Sequence, residues 1–183
     1  MIGGRFAGGA ARVRNPINRA PSLLLAVGLP WLAIMLAAMA SFSPIIASAP
    51  VLPPLSFMML LGWRMLRPTL LPVWAGLPLG AWDDLFSGQP FGSGIVLFSG
   101  AMLAMEAIDA RFLWRGFAQD WLAGAALLAA YLLLSAGFAG LAAGYPLPMT
   151  IGPQLLLAVV LFPPVTRIVA VIDRLRLLPL KRI

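Results

Sequence analysis

The sequence predicts an all-α membrane protein with six transmembrane helices and with both termini in the cytoplasm. Of its 183 residues, 61% are hydrophobic and 10% are charged, whereas a soluble domain is about half apolar and about a quarter charged. Apolar runs long enough to cross a bilayer, which takes about 20 residues, recur along the chain. Basic residues cluster between alternate runs. We therefore expect one membrane domain at 22–172, between a disordered basic tail at 1–21 and a basic tail at 173–183.

The first span is predicted over residues 22–42, a run without any charged residue. The tail before it is rich in Gly and Arg and cannot build a core, so we expect it to be disordered. A secretory signal peptide is the alternative, because Ala47, Ser48 and Ala49 have the small-residue pattern of a cleavage site. The apolar part of a signal peptide has about 7 to 15 residues. The longer run therefore favours a retained span.

The second span is predicted over about 50–65. It ends at Trp63 and is followed by Arg64 and Arg67, and an aromatic residue beside basic ones is typical of an anchor at the membrane interface. We therefore expect these two arginines at the cytoplasmic surface.

The third span is predicted over about 68–82. Pro68 suits the first turn of a helix, where a missing N–H costs nothing. Pro72 and Pro78 interrupt the run, so a kink or a broken helix is expected there.

Spans four, five and six are predicted over about 91–108, 121–141 and 150–172. Stretches rich in Gly, Ser and Pro precede the fourth and the sixth and indicate turns. Pro163 and Pro164 lie inside the sixth.

The distribution of basic residues predicts the orientation. All 13 Lys and Arg residues fall in the N-terminal tail, in the loops after spans two and four, or in the C-terminal segment. The opposite loops, near 43–49, 85–91 and 142–149, contain none. Because cytoplasmic loops carry the excess of Lys and Arg, this pattern places both termini in the cytoplasm.

Composition excludes several functions. The chain has no Cys and no His, which excludes disulfides, thiolate or imidazole metal sites and a Ser-His-Asp triad. The net charge of +7 lies in clusters between apolar runs, unlike the single basic face of a nucleic-acid reader. We therefore expect no cofactor and no nucleic-acid partner, and most familiar routes to hydrolysis are removed.

Asp83 and Asp84 are the acidic pair on the side predicted to be non-cytoplasmic. Either both are solvated at a helix end, because charge costs least at the interface, or Asp84 is buried and paired. The pair also has the look of a magnesium site for diphosphates. Such a site needs a further Asp three residues beyond the second, where Ser87 stands, so two-metal chemistry is disfavoured.

Small residues recur at four-residue spacing in span five, at Ala136, Gly140 and Gly144. This spacing lets another helix approach closely, either within the protein or in a partner.

Residues 80–92 resemble the signature of the rod shape-determining MreD family, in which a Gly precedes Asp-x-x-x-Gly-x-x-x-Gly. Asp84, Gly88 and Gly92 occupy its positions. The extra Asp83, the long Arg- and Gly-rich tail and the doubled proline in span six depart from that pattern. A physical reason accompanies the motif, because two glycines permit a tight return between spans and Asp84 can accept backbone N–H groups at the next helix start. A simple tight hairpin explains the same residues.

The resemblance implies a non-enzymatic scaffold of the bacterial inner membrane. It implies binding to MreC and an indirect link to the MreB filament and to a peptidoglycan glycosyltransferase and transpeptidase pair. It also implies the six-helix fold of the S-components of vitamin transporters, with a pocket that opens outward and that Asp84 lines or braces. A vitamin-type substrate-binding subunit is therefore the alternative function, and a lipid-phosphate enzyme is a distant third.

Overall fold

The protein is all-helical in the part that the structure describes. A computed structural model describes residues 23–40, 52–111, 116–143 and 151–176. These ranges contain six α-helices and a short 3-10 helix, without any strand. In chain order they are α1 (Leu23–Met39), α2 (Leu55–Leu66), the 3-10 helix (Val73–Ala75), α3 (Gly76–Ser87), α4 (Ser93–Arg111), α5 (Phe117–Ala143) and α6 (Ile151–Arg176). Most of both predicted tails and the candidate cleavage site at 47–49 lie outside the described residues.

Three of these helices, α4, α5 and α6, are long and apolar enough to cross a membrane. Their outward faces carry large apolar side chains such as Leu133, Val160 and Ile168, each more than half exposed. Helices α2 and α3 have 12 residues each, which gives a length of about 18 Å. The hydrocarbon core is about 30 Å thick. The helices are compatible with a membrane protein, and six full spans remain a prediction.

Consecutive helices run up and down. An ion pair between Arg64 and Asp109 joins the C-terminal ends of α2 and α4, and one between Arg67 and Asp173 joins α2 to the C-terminal end of α6. We call this the arginine end. At the other end, the indole of Trp82 in α3 donates to the carbonyl of Met35 near the end of α1. The carboxylate of Asp84 in α3 accepts from a backbone N–H at the start of α4. We call this the Asp84 end.

The predicted start of the third span at Pro68 is wrong. Residues 68–71 form a turn, Pro72 is extended with φ −66° and ψ 155°, and α3 begins only at Gly76 after the 3-10 helix. A proline removes an N–H and disfavours helix in the residue before it, so Pro72 breaks the run as expected. Pro78 lies in the first turn of α3, where its missing N–H has no helical partner to lose.

The other helices match the predicted runs to within about one turn at most ends. The second run is shorter than predicted, because α2 starts at Leu55 after two consecutive prolines. Pro163 and Pro164 do not end the sixth run, since α6 continues through both and reaches into the predicted C-terminal tail.

The core is built around α2. This helix packs against α1, α4, α5 and α6, and it buries Phe57, Leu60 and Trp63 almost completely. The ring of Phe57 stacks on Tyr131 of α5 at 4.2 Å and meets Phe98 of α4 edge-on at 5.4 Å. This aromatic cluster fixes α2, α4 and α5 relative to one another below the Asp84 end.

Candidate functional site

The motif Asp84-Gly88-Gly92 forms the joint between α3 and α4. Gly88 ends α3 with φ 68°, and Gly92 has φ 101° just before α4. Only glycine adopts such backbone angles without strain. The chain therefore reverses within five residues, 88–92, and brings the start of α4 beside the end of α3.

Asp84 holds this joint through its carboxylate. One oxygen, Oδ2, accepts from the backbone N–H of Gly92 at 2.8 Å, and Oδ1 accepts from that of Gly94 at 2.7 Å. The hydroxyl of Ser93 lies 3.3 Å from Oδ1. The first N–H groups of a helix lack partners within it, and a carboxylate is favoured there. The predicted role of Asp84 at this helix start is confirmed.

Close backbone contact between α3 and α4 depends on glycines. A Cβ added to Gly80 would lie 2.6 Å from the carbonyl carbon of Gly94 and 2.7 Å from the Cα of Ile95. A Cβ on Gly76 would lie 2.8 Å from the backbone of Ser99. Real Cβ atoms do not approach so closely, so no larger residue fits without moving a helix. Gly76 and Gly94 are not among the packing residues predicted from the sequence.

Asp83 is also buried, at 4% exposure against 7% for Asp84, which contradicts the first of the two alternatives, that both carboxylates are solvated. The side chain of Asp83 faces α2 and α5, whereas that of Asp84 faces α4. The hydroxyl of Ser56 donates to its Oδ1 at 2.5 Å, and the hydroxyl of Tyr131 lies beside the same carboxyl group. Both partners are remote in sequence, and no local motif predicts them.

Asp83 lines a cavity of about 340 Å³ at the Asp84 end. The walls come from the chain before α2, from the end of α3, from α5 and from the start of α6. They consist of Leu52, Pro53, Pro54, Asp83, Ser87, Gln89, Tyr131, Leu132, Ser135, Ala136, Ala139, Ile151 and Gln154. Asp84 is not among them, so it braces this end rather than lining the cavity. Ser135 and Gln154 are isolated polar residues in apolar runs, which is the signal that could have identified them.

The predicted helix-packing residues of α5 have different surroundings. Ala136 is buried and borders the cavity, Gly140 is half-buried, and Gly144 lies outside the described residues. A close approach of α5 and α6 occurs at Gly124, where an added Cβ would overlap the ring of Phe162.

The two arginines expected as anchors at the membrane interface, Arg64 and Arg67, differ in their burial. Arg64 is 6% exposed. Its guanidinium donates to the carbonyl of Pro68 and lies 3.4 Å from a carboxylate oxygen of Asp109. Arg67 is exposed and pairs with Asp173 at 3.1 Å. Arg64 thus ties α2 to α4 within the protein, and its position at the cytoplasmic interface stays a prediction.

The chemistry available at the Asp84 end is hydrogen bonding. Both carboxylate oxygens of Asp84 accept hydrogen bonds at the start of α4. Asp83 and the neighbouring residues with hydroxyl and amide groups line a cavity. Within the described ranges, no three Asp or Glu side chains are grouped so that they could hold a metal ion. Comparison with protein families, with curated proteins and with solved structures finds no match to this chain.

Proposed function

We propose that this chain is a non-enzymatic scaffold of the bacterial cell-elongation machinery, a six-span protein of the cytoplasmic membrane that binds MreC. Through that partner it would connect peptidoglycan synthesis to the MreB filament. The observation that supports this proposal is the fold of the motif. The three residues that resemble the MreD signature, Asp84, Gly88 and Gly92, are those that form the joint between α3 and α4.

The cytoplasmic position of both termini belongs to the same proposal. Apart from Arg167, every described Arg lies in the loop after α2 or near the C-terminal ends of α2, α4 and α6, which meet at the arginine end. Arg167 lies further inside α6, beside Met65 and Leu66 at the end of α2. Because Lys and Arg are enriched on the cytoplasmic side, the arginine end faces the cytoplasm. The Asp84 end then faces outward.

A scaffold needs helix faces that a partner can cover. The outer sides of α4, α5 and α6 provide them, with exposed side chains such as Leu103, Leu134 and Leu156. In a membrane these faces contact lipid, and transmembrane helices associate there by close packing.

Affinity purification tests the scaffold. The full chain carries a C-terminal tag, is expressed at its natural level and is solubilised in mild detergent, and the bound proteins are identified by mass spectrometry. MreC is expected among them, and loss of the chain should make rod-shaped cells round. Recovery of an ATPase module without MreC would contradict the proposal.

A second candidate is the substrate-binding subunit of a small-molecule transporter. The cavity beside Asp83 favours it, because ligand sites have volumes of about 300–1,000 Å³ and this cavity has about 340 Å³. Recovery of an ATPase module together with a small molecule at unit stoichiometry would support this candidate over the scaffold.

A further inference from the structure

We infer that the cavity at the Asp84 end binds a small organic molecule that carries a cationic or N–H donor group, and that Asp83 is the residue that receives this group. The inference goes beyond the scaffold function, which does not require a ligand. It also separates the two adjacent carboxylates, since Asp84 takes no part in the site.

The first step of the argument is the burial of Asp83 without a positive partner. The described residues form no ion pair with it, and its hydrogen-bond donor is the hydroxyl of Ser56, with Tyr131 alongside. A buried carboxylate is costly unless a countercharge or enough donors compensate it. An ionisable group inside a membrane protein is therefore a candidate for a functional site unless the packing accounts for it, as it does for Asp84.

The second step is the cavity that the carboxyl group borders. Its volume of about 340 Å³ exceeds what a few water molecules need, since each occupies about 30 Å³ in the liquid. The hydroxyl oxygen of Ser87 on its wall is buried and has no hydrogen-bond partner in the described part of the chain. Asp83 and Ser87 are thus wall residues whose polar groups keep hydrogen-bonding capacity within the described part of the chain.

The third step concerns the rest of the cavity wall, whose apolar residues indicate that the body of the ligand is apolar. Leu132, Ala136, Ala139 and Ile151 are the apolar part of the wall, and Asp83 and Ser87 are among its polar residues. A mainly apolar pocket with a few convergent polar groups is the usual form of a small-molecule site. The ligand class is therefore a compact molecule with an apolar body and one ammonium or amide-like head.

The test measures retention of three probes by the full chain in nanodiscs of phosphatidylcholine. Phenethylamine, 2-phenylethanol and 3-phenylpropionate share a phenyl ring and a two-carbon chain, and they differ in a cationic, neutral or anionic head. Equilibrium dialysis measures the bound fraction, with empty nanodiscs as the blank. We expect the amine to be retained about tenfold more than the alcohol, as a charge-assisted hydrogen bond implies, and the carboxylate least.

Variants locate the binding. Asp83→Asn keeps the shape of the side chain and should bring retention of the amine down to that of the alcohol. Asp120→Asn, a carboxylate that borders a different cavity between α2, α5 and α6, is the matched control and should leave retention unchanged. Ala139→Leu narrows the cavity from an exposed position and should lower retention of both amine and alcohol.

Equal retention of amine and alcohol by the unaltered chain would overturn the inference, as would undiminished retention in Asp83→Asn. If Asp83→Asn does not fold, Ala139→Leu decides, because undiminished retention in that variant also overturns it. None of these outcomes affects the scaffold proposal, which is tested by recovery of MreC.

Discussion

Two adjacent carboxylates perform different tasks because consecutive residues of a helix point about 100° apart. Asp84 points at the start of α4 and accepts from the N–H groups of Gly92 and Gly94. Asp83 points at α2 and α5 and accepts from Ser56. Substitution of either residue therefore tests a separate part of the molecule.

Asp84→Ala should destabilise the protein more than Asp83→Ala. It leaves two backbone N–H groups without their acceptor, and each buried unsatisfied donor costs about 1–3 kcal/mol. Asp83→Ala removes the acceptor beside the hydroxyls of Ser56 and Tyr131, and each hydroxyl can rotate toward another partner. Thermal unfolding in detergent, followed by the intrinsic fluorescence of the six tryptophans, measures both. Equal melting temperatures would show that the carboxylate of Asp84 does not hold the joint.

The variants Asp84→Ala and Asp83→Ala should also differ in their effect on cell shape if the chain is a scaffold. We expect Asp84→Ala to disturb cell shape more than Asp83→Ala, because the scaffold depends on the packing of α3 against α4. Microscopy of cells that carry each variant at matched expression tests this. Normal and equal shape in both strains would contradict it.

The role of Asp84 could be predicted from the sequence because its partners follow within ten residues and two glycines mark the return of the chain. The burial of Asp83 could not. Ser56 lies 27 residues away and Tyr131 lies on α5, so only tertiary packing reveals their meeting. A local motif predicts contacts between residues that are close in sequence. It does not predict the cavity, whose wall comes from segments far apart in the chain.

At the scale of elements, α3 and α4 are the most closely packed pair among the described helices. Their backbones approach closely where Gly80 faces Gly94 and where Gly76 faces Ser99. Small residues at such contacts allow close packing when the hydrophobic effect between helices is weak, as in lipid. The joint at Asp84 closes one end of this pair, and the glycines extend the contact along its length.

Gly80→Ala should therefore destabilise the protein, whereas Gly100→Ala should not. The Cβ at position 80 would fall within 3 Å of the backbone of α4, and nothing lies within 4 Å of a Cβ at position 100. Overpacking typically costs about 1–3 kcal/mol, and alanine is favoured over glycine in a helix by about 1 kcal/mol. Thermal unfolding of both variants should give shifts of opposite sign. A stabilised Gly80→Ala variant would refute the close contact.

The pairs at the arginine end should differ in strength. Arg64→Ala removes a buried guanidinium and strands the carbonyl of Pro68, and breaking a buried pair costs about 3–5 kcal/mol. Arg67→Ala should cost about 1 kcal/mol or less, because its side chain is 48% exposed. Denaturation by a graded detergent mixture compares the free energies of unfolding. Equal losses would mean that burial does not separate these pairs.

Helix order and approximate bounds could be predicted because apolar runs and turn residues repeat along the chain. The start of α3 could not, because two effects oppose each other there. Pro68 alone favours a helix start, but Pro72 four residues later prevents continuation and delays α3 to Gly76. Similarly, the sequence shows that Arg64 is basic, but its burial follows from the position of Asp109 on another helix.

For the whole molecule, the two ends differ in chemistry. The arginine end carries ion pairs that join α2, α4 and α6, and the Asp84 end carries two buried carboxylates without a described basic residue. Charge of this polarity orients membrane proteins during insertion. In the proposed orientation, the joint and the cavity lie on the outward side and the charged pairs lie on the cytoplasmic side.

Cysteine labelling tests this orientation cleanly, because the chain has no cysteine of its own. Thr69→Cys places a thiol on the exposed turn at the arginine end, and Phe91→Cys places one at the Asp84 end, where the native side chain is 72% exposed. A maleimide that cannot cross membranes, added to intact spheroplasts, should label position 91 and should label position 69 only after permeabilisation. If position 69 reacts in intact spheroplasts, the basic residues do not mark the cytoplasmic side, and a scaffold that reaches the MreB filament through MreC would have to be oriented otherwise.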